Sequence, residues 1–365
     1  MKTLWNSYKK FLTISSPHFK ISLLLLMLTY LLSIFRISLF RSNTTDTVPQ
    51  LKAINTEVLK TLGPFTTRVN AGMFIKNFPV FDVNKNTFLV DAVLWFEFNG
   101  DEVMLETLEK FSVDNGKIIS RSTSDIKITD GKVFAKYNVL FELKTDLNFH
   151  KFPFEDHRLP IVISNDFQSI EEMVFVVDAS AFQIFPNIAP AGWKFHDTHV
   201  DAGFMPLQLD KQDASKKVEN PKALFVLNFI KASSRKALII FVPLFAATFF
   251  SLLSFVMNVT DVFGISTLVV TAVTALLGYR FVIEQMMPNV GYFTTTDLIY
   301  LFLLLFAFII FAIQLLLTRW RIAISSHSTT EHKDIVIRRL DKISSITFIL
   351  MSILLVVVTT YILLT

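Results

Sequence analysis

Between Thr267 and Gln285, hydroxyl, glycine and amide side chains recur on a segment that is otherwise apolar. At about 100° per residue, Thr267, Thr271, Thr274, Gly278, Phe281 and Gln285 fall within roughly 40° of one line along a helix. Val269, Val270, Val273, Leu276 and Leu277 lie off that line. In a membrane helix such a stripe serves one of two ends. Small residues let a neighbouring helix approach closely, or hydroxyls line a wet path and partly replace an ion's water. Asp261 and Glu284 stand near the two ends of the segment, and rings of carboxylates favour cations. No basic residue lies on the stripe, since Arg280 points about 140° away. Arg280 and Glu284 are four apart, which also makes them a local ion pair.

Other reactive groups are fewer. His196 and His199, or His150 and His157 around Phe152-Pro153-Phe154, have the chemistry of metal ligands or proton sensors. The competing reading is solvated loop histidines, and residues three apart on one strand point to opposite sides. The sequence has no cysteine, which excludes disulfides, thiol catalysis and cysteine metal sites. No serine-histidine-acid set, phosphate-cradling glycine loop or carboxylate pair in an assigned pocket emerges, so the reading is not an enzyme, with no cofactor and no metal site.

The elements that must position these groups follow from hydropathy. Hydrophobic residues make up 52% of the 365, with 38 Phe, too apolar for an ordinary soluble protein, so part of the chain belongs in a lipid bilayer. Net charge is only +4, and Lys and Arg form no stripe interleaved with aromatics, so nucleic acid is not an expected partner. Lys2, Lys9, Lys10 and Lys20 precede an apolar run from Ile21 to Phe40, read as a signal peptide or a retained anchor; RSNTTDTVPQ shows no A-x-A-like cleavage site, which favours the anchor. A lysine-rich leader stays in the cytoplasm, so residues 42–235 lie outside. There, short alternating runs between turn signals mark an antiparallel two-sheet sandwich, with candidate strands Phe88 to Phe98, Val133 to Leu143, Leu159 to Ile163, Met173 to Val177 and Ala223 to Ile230. Val90, Ala92, Leu94 and Phe225 are candidate core residues.

Residues 236–365 hold four apolar runs, Ala237 to Met257, Ser266 to Ile283, Leu298 to Thr318 and Ile343 to Leu364, each near bilayer-crossing length. Pro243 inside the first frees a backbone carbonyl for a neighbour to satisfy. A basic loop, 319–342, falls on the cytoplasmic side, in agreement with the leader. The fold class is thus a mainly-β external sandwich followed by an all-α four-helix transmembrane domain, preceded by one extra membrane helix in residues 1–41.

Three local sequences in this order carry a resemblance. Phe152 to His157 reads FPFEDH, Arg235 stands just before the first of the four helices, and Pro288 to Asp297 reads PNVGYFTTTD. Ala191-Gly192-Trp193 is a weaker fourth match. Together they resemble the pentameric ligand-gated ion channels, the family of the Cys-loop receptors and their cysteine-free bacterial relatives, over about Arg68 to Thr365. The resemblance implies a homopentamer in the inner membrane whose second helices line the pore. The Thr stripe becomes rings, with Phe263 one turn before Thr267, where many relatives carry a glutamate, and Phe281 a constriction that gates by dewetting. It also implies coupling of stimulus to gate through Glu155 or Asp156, Arg235, Pro288, Tyr292 and Asp297. Inorganic ions, cations by the reading of Asp261 and Glu284, would pass. The stimulus would be a small ligand, a proton or a divalent cation acting at an unknown site, since Asp210 to Lys222 offers no aromatic cage for an organic ammonium. The competing reading is a nonconducting membrane sensor or scaffold on the same fold.

Overall fold

The computed structural model describes residues 17–40, 46–54, 66–188, 190–213, 216–257, 261–327 and 330–364. Lys2, Lys9 and Lys10 of the leader lie outside these residues. Two compact units emerge: a β unit of Ser42–Phe149 and Glu155–Ser233, and a helical unit of Met1–Arg41, His150–Phe154 and Ser234–Thr365.

The β unit contains β1 (Lys52–Ala53), β2 (Thr67–Asp82), β3 (Thr87–Asn99), β4 (Ser112–Val113), β5 (Gly116–Arg121), β6 (Asp125–Thr129), β7 (Lys132–Leu143), β8 (His157–Ser164), β9 (Met173–Val176), β10 (Phe182–Ile184), β11 (Trp193–Gln208) and β12 (Lys217–Lys231). One sheet runs β1-β11-β12-β8-β4, and the other runs β10-β2-β3-β7-β5, with β6 on β7 and β9 on β2. All five candidate strands are present. The expectation of a purely antiparallel arrangement is corrected: β9 and β10 both pair with β2 in parallel. Irregular register in β2 falls between Ile75 and Asn77 and again between Asn77 and Val80, next to Pro79, which has no N–H to offer a ladder.

Alternation places the core. On β3 every second residue is buried, and Val90, Ala92 and Leu94, with Phe225 from the other sheet, are each 0% exposed. Ala135, Tyr137, Val139 and Phe141 of β7 face inward with them, each large apolar side chain contributing about 1.5–3 kcal/mol. Tyr137 is the polar exception. Burial first, then the nearby Glu109 carboxylate, pushes its hydroxyl up to about 12.

The helices are α1 (Pro17–Leu39), the short α2 (Leu105–Leu108) in the β unit, α3 (Arg235–Leu253), α4 (Val262–Met286), α5 (Thr295–His327) and α6 (Thr330–Leu364). Four of them, α3 to α6, have stretches long and apolar enough to cross a bilayer, which marks a membrane protein. Residues 319–342 differ from the loop expected there. The chain is helical through His327 and again from Thr330, because Arg, Lys and Ile there propagate a helix at little cost.

Candidate pore helix and the linker that follows it

Asp261 caps α4, its carboxylate accepting the Gly264 N–H at 2.9 Å. Ile265, Val269, Ala272, Leu276 and Ile283 form the buried face, spaced as one side of a 3.6-residue helix. This face packs on α3 and α5. The stripe looks the other way: Thr267, Thr271, Thr274, Gly278 and Gln285 are exposed, Phe263 is 84% exposed and Phe281 70%. Of the four apolar spans, that of α4 is the least buried, at 22%.

Gly278 bears on the packing reading of the stripe within one chain. A side chain there would meet nothing within 4 Å, so among the described residues no helix of the same chain requires a glycine there. Packing against the described helices of the same chain therefore does not explain the glycine of the stripe. The Thr267 hydroxyl donates to the Phe263 carbonyl at 2.8 Å.

The prolyl break in α3 is answered from α4. Pro243 lacks an N–H, so the Ile239 carbonyl four residues earlier loses its helical donor, and the Tyr279 hydroxyl donates to it at 2.8 Å. Tyr279→Phe is expected to cost about 1–2 kcal/mol, read as a lower thermal midpoint in detergent. In a double-mutant cycle with Pro243→Ala, which restores the N–H, that cost should fall by about half or more; additivity would disprove the assignment.

Beyond α4, Arg280 holds the linker. Its Nε donates to Glu284 at 2.9 Å and its Nη1 to Asp297 at 2.6 Å, and its guanidinium lies over the Tyr300 ring. Asp297 also accepts from the Thr294 N–H and hydroxyl, each at 2.9 Å, closing a capping box at the start of α5. Pro288, Tyr292 and Asp297 line one open cavity of about 550 Å³ together with Arg280, Glu284 and Phe293. Glu284 is thus in the local pair that its spacing allowed.

The His150–Phe154 loop, although it joins β7 to β8, belongs to the helical unit. Its His150 carbonyl accepts from the Thr295 N–H at 2.7 Å and the Thr295 hydroxyl at 3.1 Å. Its Phe152 carbonyl accepts from the Thr296 hydroxyl at 2.9 Å. The His150 ring stacks on Tyr292 with centroids 4.0 Å apart, Phe154 stacks on Phe241 of α3, and Lys236 lies over the Phe152 ring. This loop therefore grips the α4–α5 linker with two carbonyls and a ring.

The remaining coupling candidates lie as follows. Arg235 is the first residue of α3 in the helical unit. Glu155 and Asp156 are in the β unit. Glu155 is buried, 3.9 Å from His157 Nε2, and Asp156 accepts the Lys231 N–H at 2.9 Å. His157, expected in solvent, is 4% exposed. Its Nδ1 donates to Asp46 at 3.0 Å, and Asp46 also accepts the N–H groups of Arg158 and Asn148. His196 and His199 are exposed on β11, and among the described residues no cluster of three or more His, Asp or Glu has metal-binding geometry.

Sequence reasoning placed Thr294, Thr295 and Thr296 within the linker motif but named none of them, nor Tyr279 or Arg280, among the coupling residues. The T-x-x-D spacing of Thr294 and Asp297 carried the capping signal, and Pro243 announced that some donor was needed. Nothing in the sequence named Tyr279 as that donor. A scan against protein-family models and a search of curated proteins each give no match to this chain.

Proposed function

We propose that this chain is the subunit of a pentameric ligand-gated ion channel of the inner membrane, with α4 lining a pore for small cations. One observation carries the reading. A stripe of three threonines, a glycine and a glutamine on an apolar helix is exposed, and among the described residues open space lies beside Gly278. Lipid is a poor neighbour for hydroxyl and amide groups, so the stripe needs water or another subunit. The order FPFEDH, Arg235, PNVGYFTTTD supports the family, and the grip of the His150–Phe154 loop on Thr295 and Thr296 supports its use as the gating contact. Cation preference rests on Asp261, exposed at the start of α4, because the charge of Glu284 is offset by Arg280.

The chain has no cysteine, so single cysteines test the assignment directly. In liposomes, Thr271→Cys is expected to react with a water-soluble thiol reagent at least about tenfold faster than Ala272→Cys, which is 1% exposed, and modification should alter the current. Equal labelling, or labelling with no current in any condition of pH or divalent cation, favours the nonconducting sensor. A reversal potential that follows chloride overturns the cation assignment.

A further inference from the structure

Helix α1 lies against α3 and α6, and its contacts are specific. Tyr30 meets Phe249 of α3 edge-on at 5.7 Å, Ser33 is 6% exposed and Ile37 1%. The Arg36 Nη1 donates to the Thr360 hydroxyl of α6 at 2.6 Å, and that hydroxyl in turn donates to the Val356 carbonyl at 2.7 Å. Just past the helix, Phe40 meets Phe154 edge-on at 5.0 Å, and Phe154 is the ring stacked on Phe241. The opposite side of α1 is apolar and open: Leu24 is 69% exposed, Leu31 58% and Phe35 60%. At 1.5 Å per residue, its 23 residues span about 35 Å, enough for the hydrocarbon core of a bilayer.

A secretory signal that is cut away has no use for these features. An arginine in an apolar helix is costly unless it is paired or reaches the interface, and here it has a hydroxyl partner on another helix. We propose that α1 is retained as a fifth membrane helix and is the built-in occupant of the face formed by α3 and α6. There Phe40, with Arg36 setting its depth, is a positioning residue for the His150–Phe154 loop. The path is short: Phe40 bears on Phe154, and the same loop presents the His150 and Phe152 carbonyls to Thr295 and Thr296. Movement of α1 in the membrane then changes the grip on the linker after α4. The occupation of the α3 and α6 face stands without the channel reading; the consequence for gating rests on it.

Two measurements on the full chain in phosphatidylcholine liposomes test this without needing the stimulus. Arg36→Cys with Thr360→Cys should be joined by a bifunctional thiol reagent of about 10 Å reach, the distance spanned by an arginine side chain and its partner. The joined peptides are identified by mass spectrometry, and Leu31→Cys with Thr360→Cys should give none. Loss of the N-terminal segment from the mature chain, or equal joining in both pairs, overturns retention and docking. In the second measurement, Phe40→Ala should speed hydrogen exchange of the Thr295 amide, which donates to His150, by about two- to tenfold, the range expected for an edge-to-face aromatic pair. Phe40→Trp should restore it, and amides in the middle of α4 should not change. Unchanged exchange at Thr295 with α1 still docked reduces α1 to a passive anchor and overturns the positioning role. Expected results in both, with no current from the liposomes in any condition of pH or divalent cation, would leave α1 as assigned and favour the nonconducting sensor instead.

Discussion

Replacing Asp297 by Ala is expected to destabilise the helical unit by about 2–4 kcal/mol, seen as a lowered transition in calorimetry of the detergent-solubilised chain. Asp297 is 5% exposed and takes three donors at once: Arg280 Nη1 and the N–H and hydroxyl of Thr294. Alanine removes all three acceptor contacts. It leaves the Arg280 charge with the Tyr300 ring and the Glu284 carboxylate, and that carboxylate's side chain is 54% exposed, so solvent screens the pair. The Arg280 side chain is itself 32% exposed, which keeps the loss below that of a fully buried pair. Asp297→Asn should recover the Thr294 contacts but not the charge, and so lose about half as much. Adding Arg280→Gln to Asp297→Asn should then cost less than Arg280→Gln does in the parent, with a coupling of about 1–3 kcal/mol. A parent-like transition for Asp297→Ala would show that the capping box and the ion pair do not hold the linker.

Periodicity made the fold legible wherever one face of an element is buried by its own unit. Val90, Ala92 and Leu94 were readable because a strand alternates, and the four apolar runs because a bilayer demands their length. Strand β2 was harder to read, since its bulges around Pro79 break the alternation that pattern reading relies on. The parallel pairing of β9 and β10 depends on which strand a short segment reaches across the chain, and no local signal encodes that. The stripe on α4 was visible as a stripe, but its direction was not. Only the positions of Ile265, Val269 and Leu276 against α3 and α5 turn it outward. His157 shows the opposite failure. A histidine beside a turn reads as solvated, and its burial follows from Asp46, 111 residues away in sequence.

The linker contacts explain why so many side chains converge after α4. On the proposed reading, α4 is not held on its pore side, so its position is set by its buried face and its ends. Asp261 caps one end, and Arg280, four residues before Glu284, ties the other to the first turn of α5. Tyr279, beside Arg280, ties α4 to α3 at the carbonyl that Pro243 frees. The C-terminal third of α4 is thus bonded to both neighbouring helices through adjacent residues. Any shift of the His150–Phe154 loop that moves Thr295 is then transmitted to the same third of the helix, which contains Phe281 next to Arg280.

That placement sets the second large effect, on Phe281. If α4 lines a pentameric pore as proposed and the closed pore is a dry constriction, five Phe281 rings would exclude water, and a hydroxyl in their place would admit it. Phe281→Ser is therefore expected to raise stimulus-free cation efflux from liposomes at least about tenfold, a shift of about 1.4 kcal/mol in the open-closed balance. Phe281→Leu should stay near the parent, since an apolar side chain of smaller size still disfavours water; this separates polarity from width. Phe263 supplies the comparison. It is more exposed, 84% against 70%, but it lies in the first turn of α4, far from the bonded third of the helix that a linker movement shifts. Phe263→Ser should change unitary conductance and leave stimulus-free efflux near the parent. Leak from Phe263→Ser but not from Phe281→Ser would move the gate to the inner end, and parent-like efflux from both would mean that neither ring closes the pore.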